Sequence, residues 1–464
     1  MPKPSQDRAG DHDLVILGGG MGGYVAAIRA SQLGLRVALV EEAKLGGACL
    51  HVGCIPTKAL LESSQLLAKV RGRGEEFGLT GGERIRADMA RIADRRDEVV
   101  DRLHKGVQGL MRKNGIEVVK GAGRLRDRNT VEVDGRRLSG ENVIVATGST
   151  PRPLPGLDFD GERVINSDHA TLARDLPASV CIVGAGAVGV EFATFYRQMG
   201  SRVTLVEALD RLVPLEDEEV SKEVLSQFQK AGIDCRPGAR FEEAKATAKG
   251  VTVRLDQGEV KADKLLIAVG RAPRSAGVGL EEAGVQLDPK GNVKVDEWMR
   301  TSAGGVYAIG DVVGGYLLAH AASHEGITAV EDIAGRRVEP MNQDLVTRCT
   351  YSHPQVASVG LTEAQAKDRH GEVRIGKFPF LANGRALIHG EPGGFVKLVA
   401  DRQGRVLGAH VVGVEATELI AEPALASLFQ GDAWEISRNV HPHPTLSEAL
   451  GEAALAVDGA AIHI

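Results

Sequence analysis

Cys49 and Cys54 stand five residues apart in the stretch GGACLHVGCIP, Gly46 to Pro56. Such a pair can ligate a metal, cross-link the chain, or open and close as a two-electron couple. A structural zinc site needs about four ligands, yet no second close cysteine pair and no histidine cluster beyond His51 stands nearby. In a reducing compartment a close pair is catalytic or metal-binding rather than a structural cross-link. Regular helix would hold Cα atoms at i and i+5 roughly 8 to 9 Å apart, whereas a disulfide needs less than about 7 Å. The backbone must therefore leave the helix between the two sulfurs; Gly53 supplies the freedom, and Pro56 relaxes the turn that follows. A strained, accessible disulfide is the labile, catalytic kind, so the residues favour a redox couple. Cys181, Cys235 and Cys349 are scattered, and Cys181 lies in an apolar strand-like run as inert core.

A redox pair needs an electron acceptor beside it, and the chain carries a matching unit twice. DLVILGGGMGG…RVALVE recurs as SVCIVGAGAVG…RVTLVE at a constant offset of 166 residues. Gly18, Gly20 and Gly23 map onto Gly184, Gly186 and Gly189, and Glu41 maps onto Glu207. Each copy reads as an apolar strand, a GxGxxG turn, a helix and a second strand ending in an acid. Glycine permits the tight turn and lets backbone N–H groups meet a pyrophosphate at a helix N-terminus, while the acid accepts from adenosine ribose hydroxyls. Two such sites in a redox protein suggest a flavin and a nicotinamide. The cysteine pair begins eight residues after Glu41, beside the first of them.

The rest of the chain sets the frame. With 464 residues, two or three domains are expected. Aromatics are only 4% and glycines number 58, which favours nucleotide-binding α/β architecture over a helical bundle. A net charge of −6 without long single-sign blocks leaves a nucleic-acid role no electrostatic footprint. No apolar run is long enough to span a bilayer, and the polar start MPKPSQDRAGDHD has no targeting signature. A cytoplasmic protein without membrane partners is expected. The Pro-rich stretch Pro151 to Pro155 reads as a domain crossing, and LLIAVGRAPR as the return. The expected organisation is a first dinucleotide-binding domain over 1–150 and 273–340, a second inserted over 151–272, and an α+β domain over 341–464. In that last domain RVLGAHVVG and GGFVKLVAD read as neighbouring strands, with helices around Ala416 to Gln430 and Ser447 to Val457. The stretch Arg84 to Lys113 has helical apolar spacing and reads as scaffold.

GGACLHVGCIPTKAL, the paired Rossmann units, YAIGDV, YSHPQVASVGLTE and HPTLSEAL together resemble the dimeric flavoprotein disulfide reductases, the pyridine nucleotide-disulfide oxidoreductase family. GGYVAAIRASQLG, Gly22 to Gly34, is similar to the dihydrolipoamide-oxidising branch, and the likeness runs from about Asp13 to the C-terminus. It implies FAD on Gly18, Gly20, Gly23 and Glu41, with Thr147, Gly148, Ser149, Asp311 and the stretch Leu317, Leu318, Ala319, His320 also touching it. It implies a nicotinamide on Gly184, Gly186, Gly189, Glu207 and Gly270. A carboxylate at Glu207 repels a 2′-phosphate, and no arginine cluster follows it, so NAD is expected over NADP. Lys58, with Glu191 as its partner acid, is implied beside the flavin ring. His443 oriented by Glu448 is implied as the base serving the partner subunit's cysteines; on spacing alone His441 rivals it. Met21, Ala48, His51, Thr57, Ala321 and Pro442 depart from the usual pattern, and none removes a reacting group.

The resemblance implies a homodimer that oxidises dihydrolipoamide on the lipoyl domain of a 2-oxoacid dehydrogenase or glycine-cleavage complex. Glutathione-type and mercuric reductases share the cysteine loop. The first would need basic contacts after Glu207, and the second a vicinal cysteine pair where this chain reads DGAAIHI. A mainly structural subunit of a multienzyme complex would not need the full set of Cys49, Cys54, Lys58, His443 and Glu448.

Overall fold

The computed structural model describes residues 11–464, so the first ten residues of the polar N-terminal stretch lie outside it. The chain forms two compact units. One holds the described residues up to Ala59 together with Ala93–Arg152 and Arg271–Met341; the other holds Leu60–Ile92, Pro153–Gly270 and Asn342–Ile464.

In the first unit a parallel sheet runs Glu117–Lys120, Val37–Glu41, His12–Leu17, Arg136–Val145, Val306–Ala308. The strand His12–Leu17 is buried along its whole length, as a central parallel strand covered on both faces must be. Its apolar run DLVIL has no polar alternation for that reason. The first half of Arg136–Val145 extends past the parallel sheet and pairs antiparallel with Thr130–Val133. Ser149–Pro151 and Arg271–Pro273, where the chain leaves and re-enters this unit, pair as an antiparallel two-stranded ribbon.

The second unit repeats the parallel order with Asp234–Pro237, Arg202–Glu207, Ser179–Val183, Lys264–Ile267, Val164–Ile165. Cys181 sits at its centre, where burial pushes the thiol up to about 12 and leaves it unreactive at neutral pH. The same unit contains a five-stranded antiparallel sheet in the order Arg348–Thr350, Gln355–Gly360, Val406–Gly413, Phe395–Ala400, Arg374–Pro379. The helix Glu448–Val457 lies on its last two strands. The helical stretch expected around Ala416 to Gln430 is two helices, Ala416–Leu419 and Ala421–Leu428. Pro423 lacks an N–H and its ring would strike the Leu419 carbonyl, which breaks the helix there. Among the described residues no helix is long and apolar enough to cross a membrane.

A buried ion cluster fixes this sheet to the loop after Glu207. The Lys397 side chain, 1% exposed, donates to Asp217 at 2.9 Å and Glu363 at 2.6 Å and pairs with Glu219 at 2.9 Å. Burial pushes Asp217 and Glu219 up, but Lys397 and its neighbours pull both below their ordinary values; Lys367 and Lys397 do the same for Glu363. Carboxylates depressed in the folded state stabilise it above their unfolded value near pH 4, and that contribution is lost as pH falls through the folded values. Lys397→Ala is expected to cost about 3 to 5 kcal/mol by stranding the buried Asp217 carboxylate. Chemical denaturation at pH 7 checks this, and the gap from the natural chain should narrow as pH drops below about 4.

Candidate functional site

The two glycine turns agree down to individual hydrogen bonds. Glu41 accepts from Gly19 N and Ala43 N, both at 2.7 Å; Glu207 accepts from Ala185 N at 2.7 Å and Leu209 N at 3.0 Å. Each acid thus ties its strand end back to its turn. An ionised carboxylate has about four acceptor sites, so each keeps capacity for ribose hydroxyls. A Cβ on Gly23 would lie 1.9 Å from the Gly18 carbonyl oxygen, and one on Gly189 1.8 Å from that of Gly184. These glycines let the helices Met21–Gln32 and Ala187–Met199 start against their strands. Gly18 and Gly184 have φ of +112° and +101°. Gly20 and Gly186 differ in kind: both are extended at φ −68° and −71°, and a Cβ would meet nothing closer than 4.0 Å at the first and nothing within 4 Å at the second. What a side chain there would fill is the space facing the helix N-terminus, where a pyrophosphate fits.

The cysteine loop rests directly on the first of these turns. Gly46 N donates to Gly19 O at 2.8 Å, and Gly47, at φ +59°, packs so closely that a Cβ would come within 2.7 Å of Gly20 Cα. Cys49 lies in the short helix Gly47–His51 and Cys54 opens the helix Cys54–Arg73; the break between them is Val52–Gly53. Regular i to i+5 geometry is thereby abandoned, and the two side chains meet as thiols joined by a hydrogen bond. That bond, with burial, pushes the Cys49 thiol far up, while the charge of Lys58 pulls it down. Lys58 stands four residues after Cys54 on the same helix. Glu191 belongs to the other unit, where it is buried on the helix Ala187–Met199 and accepts from Tyr351 N at 2.8 Å.

Around the ribbon, Thr147 donates to the Arg274 carbonyl at 2.7 Å and the Gly148 carbonyl accepts from Arg274 N at 2.9 Å. Ser149 donates to Asp311 and accepts from Arg271 Nε at 2.7 Å. Asp311 follows the strand Val306–Ala308 in a single 3₁₀ turn. Leu317 takes φ +53°, Leu318 caps the helix Ala319–Ile333, and Ala319 and His320 begin it. Gly270, at φ +106°, closes the segment that ends the inserted α/β part.

His443 and Glu448, the pair the resemblance implied, meet in the structure. His443 Nδ1 bonds Glu448 Oε1 at 2.9 Å, and Glu448 Oε2 accepts from Thr445 N at 2.8 Å, so the carboxylate is itself held. Burial would raise Glu448, but His443 and the Thr445 N–H hold it below its ordinary value. The His443 side chain is 80% exposed, which leaves Nε2 facing outward. His441 is placed differently: its side chain is 8% exposed and its Nε2 is occupied by Glu422 at 2.8 Å. The rival base is buried in a structural pair.

Two polar residues of the first unit escaped the sequence reading. Glu325, buried on the helix Ala319–Ile333, accepts from Gly310 N at 2.7 Å, next to Asp311, and burial pushes it up. His104, inside the stretch read as scaffold, donates to the Leu45 carbonyl at 3.0 Å. Neither falls in a motif; only the polar position on an otherwise packed helical face marks them.

The turns generate a paired test. Gly189→Ala forces its helix off the strand and is expected to lower stability by at least about 1 to 3 kcal/mol. Gly186→Ala is expected to leave thermal unfolding unchanged while weakening NADH binding about tenfold or more, since it fills only the phosphate space. Differential scanning calorimetry and fluorescence titration with NADH separate the two.

Comparison with known proteins places these features. The model of the pyridine nucleotide-disulphide oxidoreductases matches residues 12–326, and that of their dimerisation domain matches residues 346–454. A dihydrolipoyl dehydrogenase of Bacillus subtilis is 46% identical, with 98% of this chain and 100% of the relative covered; one of Zymomonas mobilis is 42% identical over 98% and 99%. Among solved structures, LpdA of Mycobacterium tuberculosis superposes with a TM-score of 0.89 at 30% identity, covering 95% of this chain and 98% of that one. The HOCl-induced flavoprotein disulfide reductase RclA of Escherichia coli gives 0.84 at 27% identity over 94% and 98%. The chain belongs to the pyridine nucleotide-disulphide oxidoreductase family.

Proposed function

We propose that this chain is a dihydrolipoamide dehydrogenase, oxidising protein-bound dihydrolipoamide to lipoamide with FAD and NAD⁺. The observation that carries the reading is the seat of the Cys49–Cys54 loop on the first glycine turn, through Gly46 N to Gly19 O at 2.8 Å. His443, oriented by Glu448, takes a proton from a substrate thiol at its outward Nε2. The thiolate attacks Cys49 and displaces Cys54 as thiolate; the second substrate thiol then resolves the mixed disulfide, leaving Cys49 and Cys54 reduced and the substrate oxidised. Lys58 favours negative charge beside Cys49. Bound FAD and NAD⁺ supply the two-electron path that returns the cysteine pair to its disulfide.

Gly18, Gly20, Gly23, Glu41, Thr147, Gly148, Ser149, Asp311 and Leu317 to His320 hold FAD; Gly184, Gly186, Gly189, Glu207 and Gly270 hold NAD. Glu207 favours a ribose 2′-OH over a 2′-phosphate, and Arg211, the next basic residue, donates to the Pro214 carbonyl at 3.1 Å. The functional domains are 1–150 with 273–340 for FAD, 151–272 for NAD, and 341–464 for dimerisation. The exposed apolar side chains Leu425, Leu428, Phe429 and Trp434 supply a face for the second subunit, whose cysteines His443 serves. The partner is the lipoyl domain of a 2-oxoacid dehydrogenase or glycine-cleavage complex, in the cytoplasm.

Purified protein should reduce NAD⁺ with dihydrolipoamide and fail to reduce glutathione disulfide with NADPH; the reverse preference would sink the assignment. Cys49→Ser is expected to abolish lipoamide turnover while retaining yellow FAD. His443→Gln should slow the thiol half-reaction by about 10² to 10⁴, while NADH still bleaches the flavin in stopped flow.

A further inference from the structure

His51 stands between the two cysteines in sequence, and its ring turns back on the loop that precedes them. His51 Nε2 lies 2.9 Å from the Leu45 carbonyl oxygen, and His104 Nδ1 lies 3.0 Å from the same atom. A carbonyl only accepts, so both ring nitrogens carry protons and donate. The imidazoles meet edge to face with centroids 5.0 Å apart, and Gln108 Nε2 closes the chain on His104 Nε2 at 3.1 Å. The other end of the same peptide is fixed as well, since Gly46 N donates to Gly19 O at 2.8 Å. The Leu45–Gly46 peptide is therefore gripped on both sides just before the helix Gly47–His51 that carries Cys49.

This grip reaches both ends of the short helix. His51 is its last residue and Leu45 precedes its cap, so the His51 bond spans the helix from end to start. Cys54 is carried separately, by the helix Cys54–Arg73, across the Val52–Gly53 break. The approach of the two sulfurs depends on how firmly the first helix is held against the second. His104 comes from the long helix Met89–Lys113 and supplies an anchor outside the loop itself.

We propose that His104, acting with His51 on the shared Leu45 carbonyl, is a positioning residue that sets the Cys49 sulfur against Cys54 and so sets the equilibrium between dithiol and disulfide. The inference rests on the redox reading of the cysteine pair given above. Holding two thiols together raises their effective concentration for one another and favours the disulfide. Loosening the grip shifts the couple toward the dithiol.

The test is the equilibrium constant for disulfide formation in the FAD-loaded protein, poised in dithiothreitol buffers and read by acid quenching and mass analysis of the Cys49–Cys54 peptide. His104→Phe is expected to lower it about tenfold, equivalent to about 30 mV for a two-electron couple. His104→Asn, which restores a donor at the Nδ1 position, should recover most of that loss. Adding His51→Ala to His104→Phe should cost less than the two separate changes together, because both act on one acceptor. If His104→Phe does not fold, Gln108→Leu removes only the contact that orients the His104 ring and should shift the constant in the same direction. A folded His104→Phe or Gln108→Leu with the natural constant, or a His104→Asn no better than His104→Phe, overturns the proposal. Failure to oxidise dihydrolipoamide with a shifted constant would count against the proposed function alone; a natural protein whose two cysteines never pair would overturn both.

Discussion

A helix can begin against the strand that precedes it only where no side chain stands between them. In this chain that constraint is met twice, at Gly23 beneath the Gly18 carbonyl and at Gly189 beneath that of Gly184. The close start aims a row of backbone N–H groups out of each sheet and gives the acid at the next strand end something to grasp. Glu41 and Glu207 then complete the same small circuit of hydrogen bonds in both copies. The first circuit also supports the cysteine loop, because Gly46 N donates to the Gly19 carbonyl and Gly47 has no room for a side chain beside Gly20. Electron transfer chemistry in this protein is seated on a packing requirement.

Much of that was legible in the sequence because it rests on local rules. The glycine spacing, the acid at the strand end and the apolar run of His12–Leu17 each report one neighbouring constraint, and their recurrence at a fixed offset reports the fold. The break in helix at Val52–Gly53 followed from the reach of a disulfide alone. Contacts made at long range were not legible. His104 meets Leu45 from 59 positions away, on a helix whose pattern speaks only of packing. Glu325 bonds Gly310 through the fold, and Lys397 gathers acids from two other elements. The resemblance favoured His443 over His441, but the pairing of His441 with Glu422, 19 positions away, and the exposure of His443 were not legible in the chain.

The antiparallel sheet shows a different way of holding position. Where the dinucleotide turns use absent side chains, this part uses a charge taken out of water and surrounded. A buried ion cluster of this kind is a poor source of net stability but an exacting one in geometry, because any misplacement leaves a charge unmatched. Its acids include Asp217, which caps the helix Glu218–Lys230 just beyond the Glu207 loop.

The way Glu207 is held bears on how this protein could be made to accept a different coenzyme. Both of its oxygens already answer to the main chain, at Ala185 and Leu209, before any ribose arrives. Exchanging the acid for a neutral or basic side chain to welcome a phosphorylated ribose would take the acceptor from two amides, that of the fully buried Ala185 among them. With the proposed role of Glu207, discrimination and architecture share one side chain, so a switch of electron carrier demands a rebuilt loop and not a single replacement.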